Sequence, residues 1–213
     1  VLDPDTEISI EDAQKYKRGA LADDVVDVPL KMENLGRIAA QSVKHTIRQN
    51  VRNYEHDREY QELQGKNNEM ITAKVLSVNP VTGDATVEIA KTEALLPKKE
   101  QLPNEVLAVG DFVKIYVVDV ISTPKGPKVL LSRTHSGLVR RLFEQEVPEI
   151  YDGTVIIKSI AREAGSRTKI AVCGKDPDVD AVGACIGARG ARVNAIVEML
   201  GGEKIDIIKY SDD

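Results

Sequence analysis

The chain contains no tryptophan and only eight aromatic residues in 213 positions. That scarcity argues against a surface that grips its ligand mainly through a row of stacked rings. Cysteine is as rare, with only Cys173 and Cys185. They show neither CxxC spacing nor a neighbouring histidine pair, so no zinc site is expected and they read as reduced packing thiols of a cytosolic protein. The three histidines, His45, His56 and His135, lie far apart with no nucleophile or carboxylate grouped around any of them. Each reads as a surface or connector residue rather than a catalytic base, and neither an enzyme nor a cofactor is expected. No apolar run reaches the ~18 residues of a membrane span, and there is no signal-peptide pattern. Positive charge is not in excess either: the net charge is −5. A uniformly basic nucleic-acid binder is thereby excluded, but a local basic patch is not, because screening limits charge effects to roughly 8–10 Å.

What is present changes character along the chain. Residues 1–65 carry 9 basic and 13 acidic side chains, 66–135 carry 9 and 8, and 136–213 carry 11 and 13. The first 33 residues read as part of a small domain. There "SIED" from Ser9 fits a capping box opening a short helix, and "VVDVPL", Val25 to Leu30, reads as a strand stopped by Pro29. From Asn34, a plausible N-cap, to about Leu63 the residues Leu35, Ile38, Ala39, Val43, Ile47, Val51 and Tyr54 recur at helical spacing. Some 30 helical residues would span about 45 Å and suit a rigid connector, the alternative being two helices broken near Asn50. The chain begins at Val1 in mid-pattern and reads as a fragment.

Between Met70 and Arg133 the period becomes two. "ITAKVLSV", "DATVEIA", "EALLPKKEQ", "FVKIYVVDVIS" and "PKVLLSRT" are five short strands separated by turn-rich segments, the pattern of a small OB-like barrel. Ser136 then caps a helix with the apolar face Leu138, Val139, Leu142, Phe143 and Val147. Two strands, "TVIIKSIA" and "TKIAVCG", are joined by the basic loop "REAGSR", which contains Arg167. A short helix near Val179–Cys185 leads to "IGARGARV", residues 186–193. The next helix carries Val193, Ile196, Val197 and Leu200 and stops at Gly201-Gly202, before a last strand, "KIDIIKY".

The stretch "IGARGARV" carries the chemistry. Gly187 and Gly190 let the backbone turn sharply between two helices without a Cβ in the way. The helix starting near Ala191 points its unpaired N–H groups and positive dipole end at whatever lies over the turn, and an anionic backbone is the natural occupant. Arg189 and Arg192 add charge. In a helix–GXXG–helix frame this is the loop with which a KH domain clamps about four nucleotides of a single strand. The glycines at 183, 187 and 190 do not make GxGxxG, and no GK[ST] is present, which excludes dinucleotide and Walker-type phosphate loops. A plain helix–helix turn with incidental arginines is the bland alternative. The run "DPDVD", Asp176 to Asp180, lacks the glycine and distal glutamate of a calcium loop, so no metal site is expected and a solvated helix start is the reading.

Four stretches, "LGRIAAQSVKHTIRQ", "EALLPKKEQLPNE", "KGPKVLLSRTHSGLVRRLFEQEVPEIYDG" and "VDAVGACIGARGARVNAIVEMLGGEKIDII", resemble the NusA family of bacterial transcription factors over nearly the entire chain. The resemblance implies an α+β multidomain architecture: the end of a polymerase-binding head plus a long connector helix (1–65), a five-stranded OB-fold barrel of the ribosomal S-one type (66–135), and a bacterial-type α/β KH domain, the first of two in the family (136–213). It implies a cytoplasmic, monomeric, non-enzymatic elongation factor. Such a factor binds RNA polymerase, nascent single-stranded RNA and other antitermination factors, and modulates pausing, termination and antitermination. Ile186, Gly187, Ala188, Arg189, Gly190, Arg192 and Arg167 are the RNA-binding residues expected in the KH domain.

In the barrel, Lys98, Lys99, Lys125, Lys128 and Arg133 form a basic face or ordinary solubilising charge, and Lys128 and Arg133 are taken as RNA-binding. The strands where such barrels usually carry stacking aromatics have none here, so strong base stacking by the barrel is not expected. A different class of protein, the KH and barrel portion of a phosphorolytic ribonuclease, would place the KH domain before the barrel. A ribosomal KH protein would lack the barrel and carry long basic tails.

Overall fold

The computed structural model of the protein describes residues 7–28, 37–89, 92–103, 105–124 and 126–211. Two compact units divide at Asn50 and Val51. In the first, helix α1 (Ile10–Tyr16) begins as expected from its capping box, with the Ser9 hydroxyl accepting from the Asp12 N–H at 3.2 Å. Residues 25–28 are not a strand but irregular backbone. A strand exists only by pairing with another, and residues 7–28 hold no second strand to pair with. Pro29, Leu30 and the expected N-cap Asn34 lie outside the described residues. Helix α2 (Arg37–Gln64) is continuous through Asn50, without the break the alternative reading required. Val43, Ile47, Val51 and Tyr54 on it are exposed, whereas Leu63 near its end is buried in the core of the second unit.

Strands β1 (Met70–Val78), β2 (Ala85–Ile89), β3 (Thr92–Leu96), β4 (Phe112–Thr123) and β5 (Gly126–Ser132) form one antiparallel sheet in the order β3-β2-β1-β4-β5. Its outer strands β3 and β5 come side by side, so the sheet curls into a nearly closed barrel, as the strand pattern implied. Alternation fills it: Val75, Val87, Leu96, Ile115, Val117 and Leu131 point inward. The third strand is shorter than expected. Pro97 ends it, and Lys98–Glu100 form a 3-10 turn, since proline has no N–H for a ladder.

Tyr116 stands between Ile115 and Val117 and therefore faces the other way, into a second core. That core is built by α3 (Ser136–Glu146), α4 (Pro148–Tyr151), β6 (Val155–Glu163), β7 (Arg167–Gly174), α5 (Ala181–Ile186), α6 (Ala191–Met199) and β8 (Lys204–Lys209). Strand β7 pairs antiparallel with β6 and parallel with β8, a sheet covered by helices, and Phe143 is wholly buried against it. Truncating such a ring to alanine costs about 3–5 kcal/mol. The cap of α3 is not Ser136: His135 is the N-cap, its Nδ1 accepting from the Gly137 N–H at 3.0 Å. An imidazole nitrogen can fill the acceptor role usually taken by a hydroxyl, and Ser136 becomes the first helical residue.

The two cores meet tightly. Gly137 is required there, because a Cβ on it would lie 2.3 Å from Cζ of Tyr116. The loop joining β6 and β7 presses on the barrel in the same way, with Gly165 against the ring of Pro103.

Candidate nucleic-acid interface

The turn between α5 and α6 is built from unusual backbone. Gly187 ends α5 at φ 74°, ψ 177°, a region essentially closed to residues with a Cβ. Arg189 follows at φ 54°, ψ 28°, and Gly190 at φ 78°, ψ 13°. A left-handed arginine costs roughly 1–2 kcal/mol, so the turn holds Arg189 in a conformation it would not choose. Its side chain is exposed and makes no hydrogen bond or ion pair among the described residues. Among the described residues no side chain caps α6, whose N-cap is Gly190. The Ala191 N–H donates to the Ala188 carbonyl within the turn, and beyond it no side chain among the described residues competes with an anion for the positive end of α6, with Arg189 beside it and Ile186, 37 % exposed, at the end of α5.

Arg192 is used differently. Its Nη1 donates to Glu149 Oε2 at 2.8 Å and to the Ala184 carbonyl at 2.7 Å, tying α6 to α4 and to the end of α5. A Cβ at position 187 would meet the Arg192 stem at 2.8 Å. Gly187 therefore makes room for an internal contact as well as for the turn. Asp180, last of the acidic run, caps α5 by accepting from the Gly183 N–H at 3.0 Å. Cys185 is buried beneath the turn, and that burial pushes its thiol up to about 11, so it stays protonated and inert.

Two family models match this chain. One, described as the NusA-like first KH domain, covers residues 133–210, and the other, the NusA N-terminal domain, covers residues 1–57. All 213 residues align with the transcription termination/antitermination protein NusA of Bacillus subtilis at 48 % identity. They align with the proteins of that name from Halalkalibacterium halodurans at 46 % and Thermus thermophilus at 41 %. The chain belongs to the NusA family. It spans 57 %, 55 % and 55 % of the lengths of those three relatives.

In this NusA-family chain the expected RNA-binding residues do not converge. Ile186, Gly187, Ala188, Arg189, Gly190 and Arg192 share the turn. Arg167 opens β7 and pairs in register with Lys204, at the end of α6 remote from the turn, nine residues or about 13 Å of helix away. There it forms an exposed two-bonded pair with Asp206 at 2.5 and 3.0 Å, which holds the Asp206 carboxyl below the usual carboxylate range.

Arg133 is a correction. It is 3 % exposed, not part of a basic face. Its Nε and Nη2 donate to the two oxygens of Glu105 at 2.7 and 2.6 Å, Nη1 to the Lys114 carbonyl, and Nη2 to the Met199 carbonyl at 3.4 Å. One guanidinium thus joins the barrel to the last turn of α6. The sequence held a signal for this: Val129, Leu131 and Arg133 are spaced by two, and Val129 and Leu131 face the core. Lys98, Lys99 and Lys128 are exposed, while Lys125 lies outside the described residues.

The basic loop from Arg162 is likewise engaged internally. Arg162 holds Glu203 through two bonds of 2.9 and 2.8 Å, and Thr168 and the Gly165 N–H complete the site. Burial alone would raise the Glu203 carboxyl, but Arg162, Thr168 and Gly165 outweigh it and hold it low. Two residues near the barrel stack on each other: His135, expected to be a surface or connector residue, and Tyr116, to which no role was assigned.

Proposed function

We propose that this chain is the RNA-gripping portion of a transcription elongation factor that binds RNA polymerase and nascent single-stranded RNA, and so modulates pausing, termination and antitermination. The observation that carries the reading is the turn at 187–190: a helix N-terminus without a side-chain cap, and an exposed arginine with no partner among the described residues. A single strand runs across it with phosphates at the α6 N-terminus and bases toward Ile186. The names of the relatives support the transcriptional role, and the match at residues 1–57 supports a segment that docks on polymerase. The division of labour is 1–65 for docking and connection, 66–135 for the barrel, and 136–213 for the KH domain. The factor acts without catalysis, as a cytoplasmic bacterial monomer alongside other antitermination factors.

Gly190→Asp tests the RNA step. Position 190 has a left-handed conformation that aspartate tolerates, and the new carboxylate would itself occupy the α6 N–H groups. Gly187→Asp is the poorer choice, given its backbone angles and the Arg192 stem. In fluorescence anisotropy with short single-stranded RNAs, the folded Gly190→Asp protein should lose at least about tenfold in affinity, or some 1.4 kcal/mol. Unchanged affinity would refute the reading. Co-purification with core RNA polymerase rather than ribosomal subunits tests the polymerase step.

A further inference from the structure

His135 follows the last barrel strand, and three contacts hold it rigid. Its ring lies parallel to that of Tyr116, with centroids 4.9 Å apart and planes 7° apart. Its Nδ1 accepts from the Gly137 N–H, and its carbonyl accepts from Arg162 Nη1 at 2.8 Å. Tyr116 is an equally fixed base, 7 % exposed, with its hydroxyl donating to Asn68 Oδ1 at 3.2 Å. Yet His135 itself is exposed. Since Tyr116 covers one face of the imidazole, the accessible part is the opposite face and the rim. With Nδ1 engaged as an acceptor, the neutral ring carries its proton on Nε2, a donor on that rim.

The ring borders a groove between β3 and β5 of 590 Å³, within the ~300–1,000 Å³ range of small-ligand sites. Leu95 and Leu130 contribute apolar surface to it, and the exposed Lys99 and Lys128 contribute cations. Glu93 and Glu100 also line it, and Glu100 already accepts from the Thr134 hydroxyl at 3.0 Å. Carboxylates keep phosphates off their own part of the groove while offering acceptors to base amino and ribose hydroxyl groups.

We propose that the His135 ring, backed by Tyr116, is a stacking platform for one nucleobase of single-stranded RNA, with the flanking nucleotide in the β3–β5 groove and its phosphates toward Lys99 and Lys128. The proposal rests on the RNA-binding reading above. It gives the barrel a stacking site even though its second and third strands have no aromatic residue, because the platform comes from the segment after the fifth strand. A ring held only for packing would be covered on both sides. This one is stacked on Tyr116, remains exposed, and borders a groove with exposed lysines.

The test uses the full chain, an RNA of about 12 nucleotides, and two substitutions at position 135. His135→Asn keeps an N-cap acceptor for α3 but removes the ring. It should weaken binding about fivefold or more while leaving the salt dependence unchanged, because stacking involves no counterion release. His135→Trp enlarges the ring in a chain that has no other tryptophan, so its emission reports stacking directly. Affinity should match or exceed that of the wild type, and emission should fall on RNA addition. Wild-type affinity in His135→Asn, or tryptophan emission unmoved at saturating RNA, would overturn the platform. The Gly190→Asp protein separates the two readings. If it loses binding while His135→Asn does not, only the platform fails; if the wild type binds no RNA, both fail.

Discussion

The junction between barrel and KH domain and the turn at 187–190 both pair glycine with arginine, and they use the pair in opposite ways. At the junction Gly137 and Gly165 let Tyr116 and Pro103 approach, while Arg133, Arg141 and Arg162 are all held by carboxylates: Glu105, then Glu69 and Glu144, then Glu203. At the turn Gly187 and Gly190 set a backbone that leaves the start of α6 without a side-chain cap, and Arg189 has no counter-ion among the described residues. An arginine's availability for phosphate is therefore decided by whether an acid already holds it. Neither composition nor the number of basic residues in a segment measures that.

The comparison breaks hardest at Glu203. Glu203→Gln leaves Arg162 charged, buried and half-satisfied, and should destabilise the protein by about 3–5 kcal/mol in urea denaturation. Because the folded protein holds this carboxyl below its unfolded value, its stabilisation is present above the ordinary glutamate range. It is lost as pH falls through the lowered folded value. The wild type should thus lose stability on acidification through that range, and Glu203→Gln should lose less. Equal acid sensitivity in the two proteins would show that the pair does not couple to folding.

A smaller effect is expected at Arg133, whose partner Glu105 keeps some contact with water. Arg133→Met should cost about 1–3 kcal/mol of stability. RNA affinity measured against salt should keep its wild-type slope, since a buried, paired guanidinium releases no counterion. A flattened slope would return Arg133 to the RNA-facing set. At the turn, Arg189→Ala should leave stability within about 0.5 kcal/mol. The same change should flatten the slope by roughly 0.7 log units per log unit of salt if Arg189 meets one phosphate. An unchanged slope would put the turn's arginine in the same class as those at the junction.

Several elements were legible because the forces that make them are local. The capping box at Ser9, the period-two strands of the barrel, the helical stripe of α6 and its glycine stop all follow from residues within a few positions of one another. The turn from Gly187 to Gly190 was legible for the same reason. The strand expected at Val25 was misread because alternation alone cannot supply the second strand that a ladder needs.

Amino-acid order by itself determined most of the elements, their sequence along the chain, and the glycine turn from 187 to 190. Each of those depends on backbone preference and side-chain spacing over one or two turns. Only tertiary structure decided which charges remain free. Glu105 reaches Arg133 from 28 positions away and Glu203 reaches Arg162 from 41, and pairing at such separations is set by how the strands and loops of each core come together. The meeting of the two cores laid His135 on Tyr116, 19 positions apart, and turned a residue that looked like surface into a supported ring.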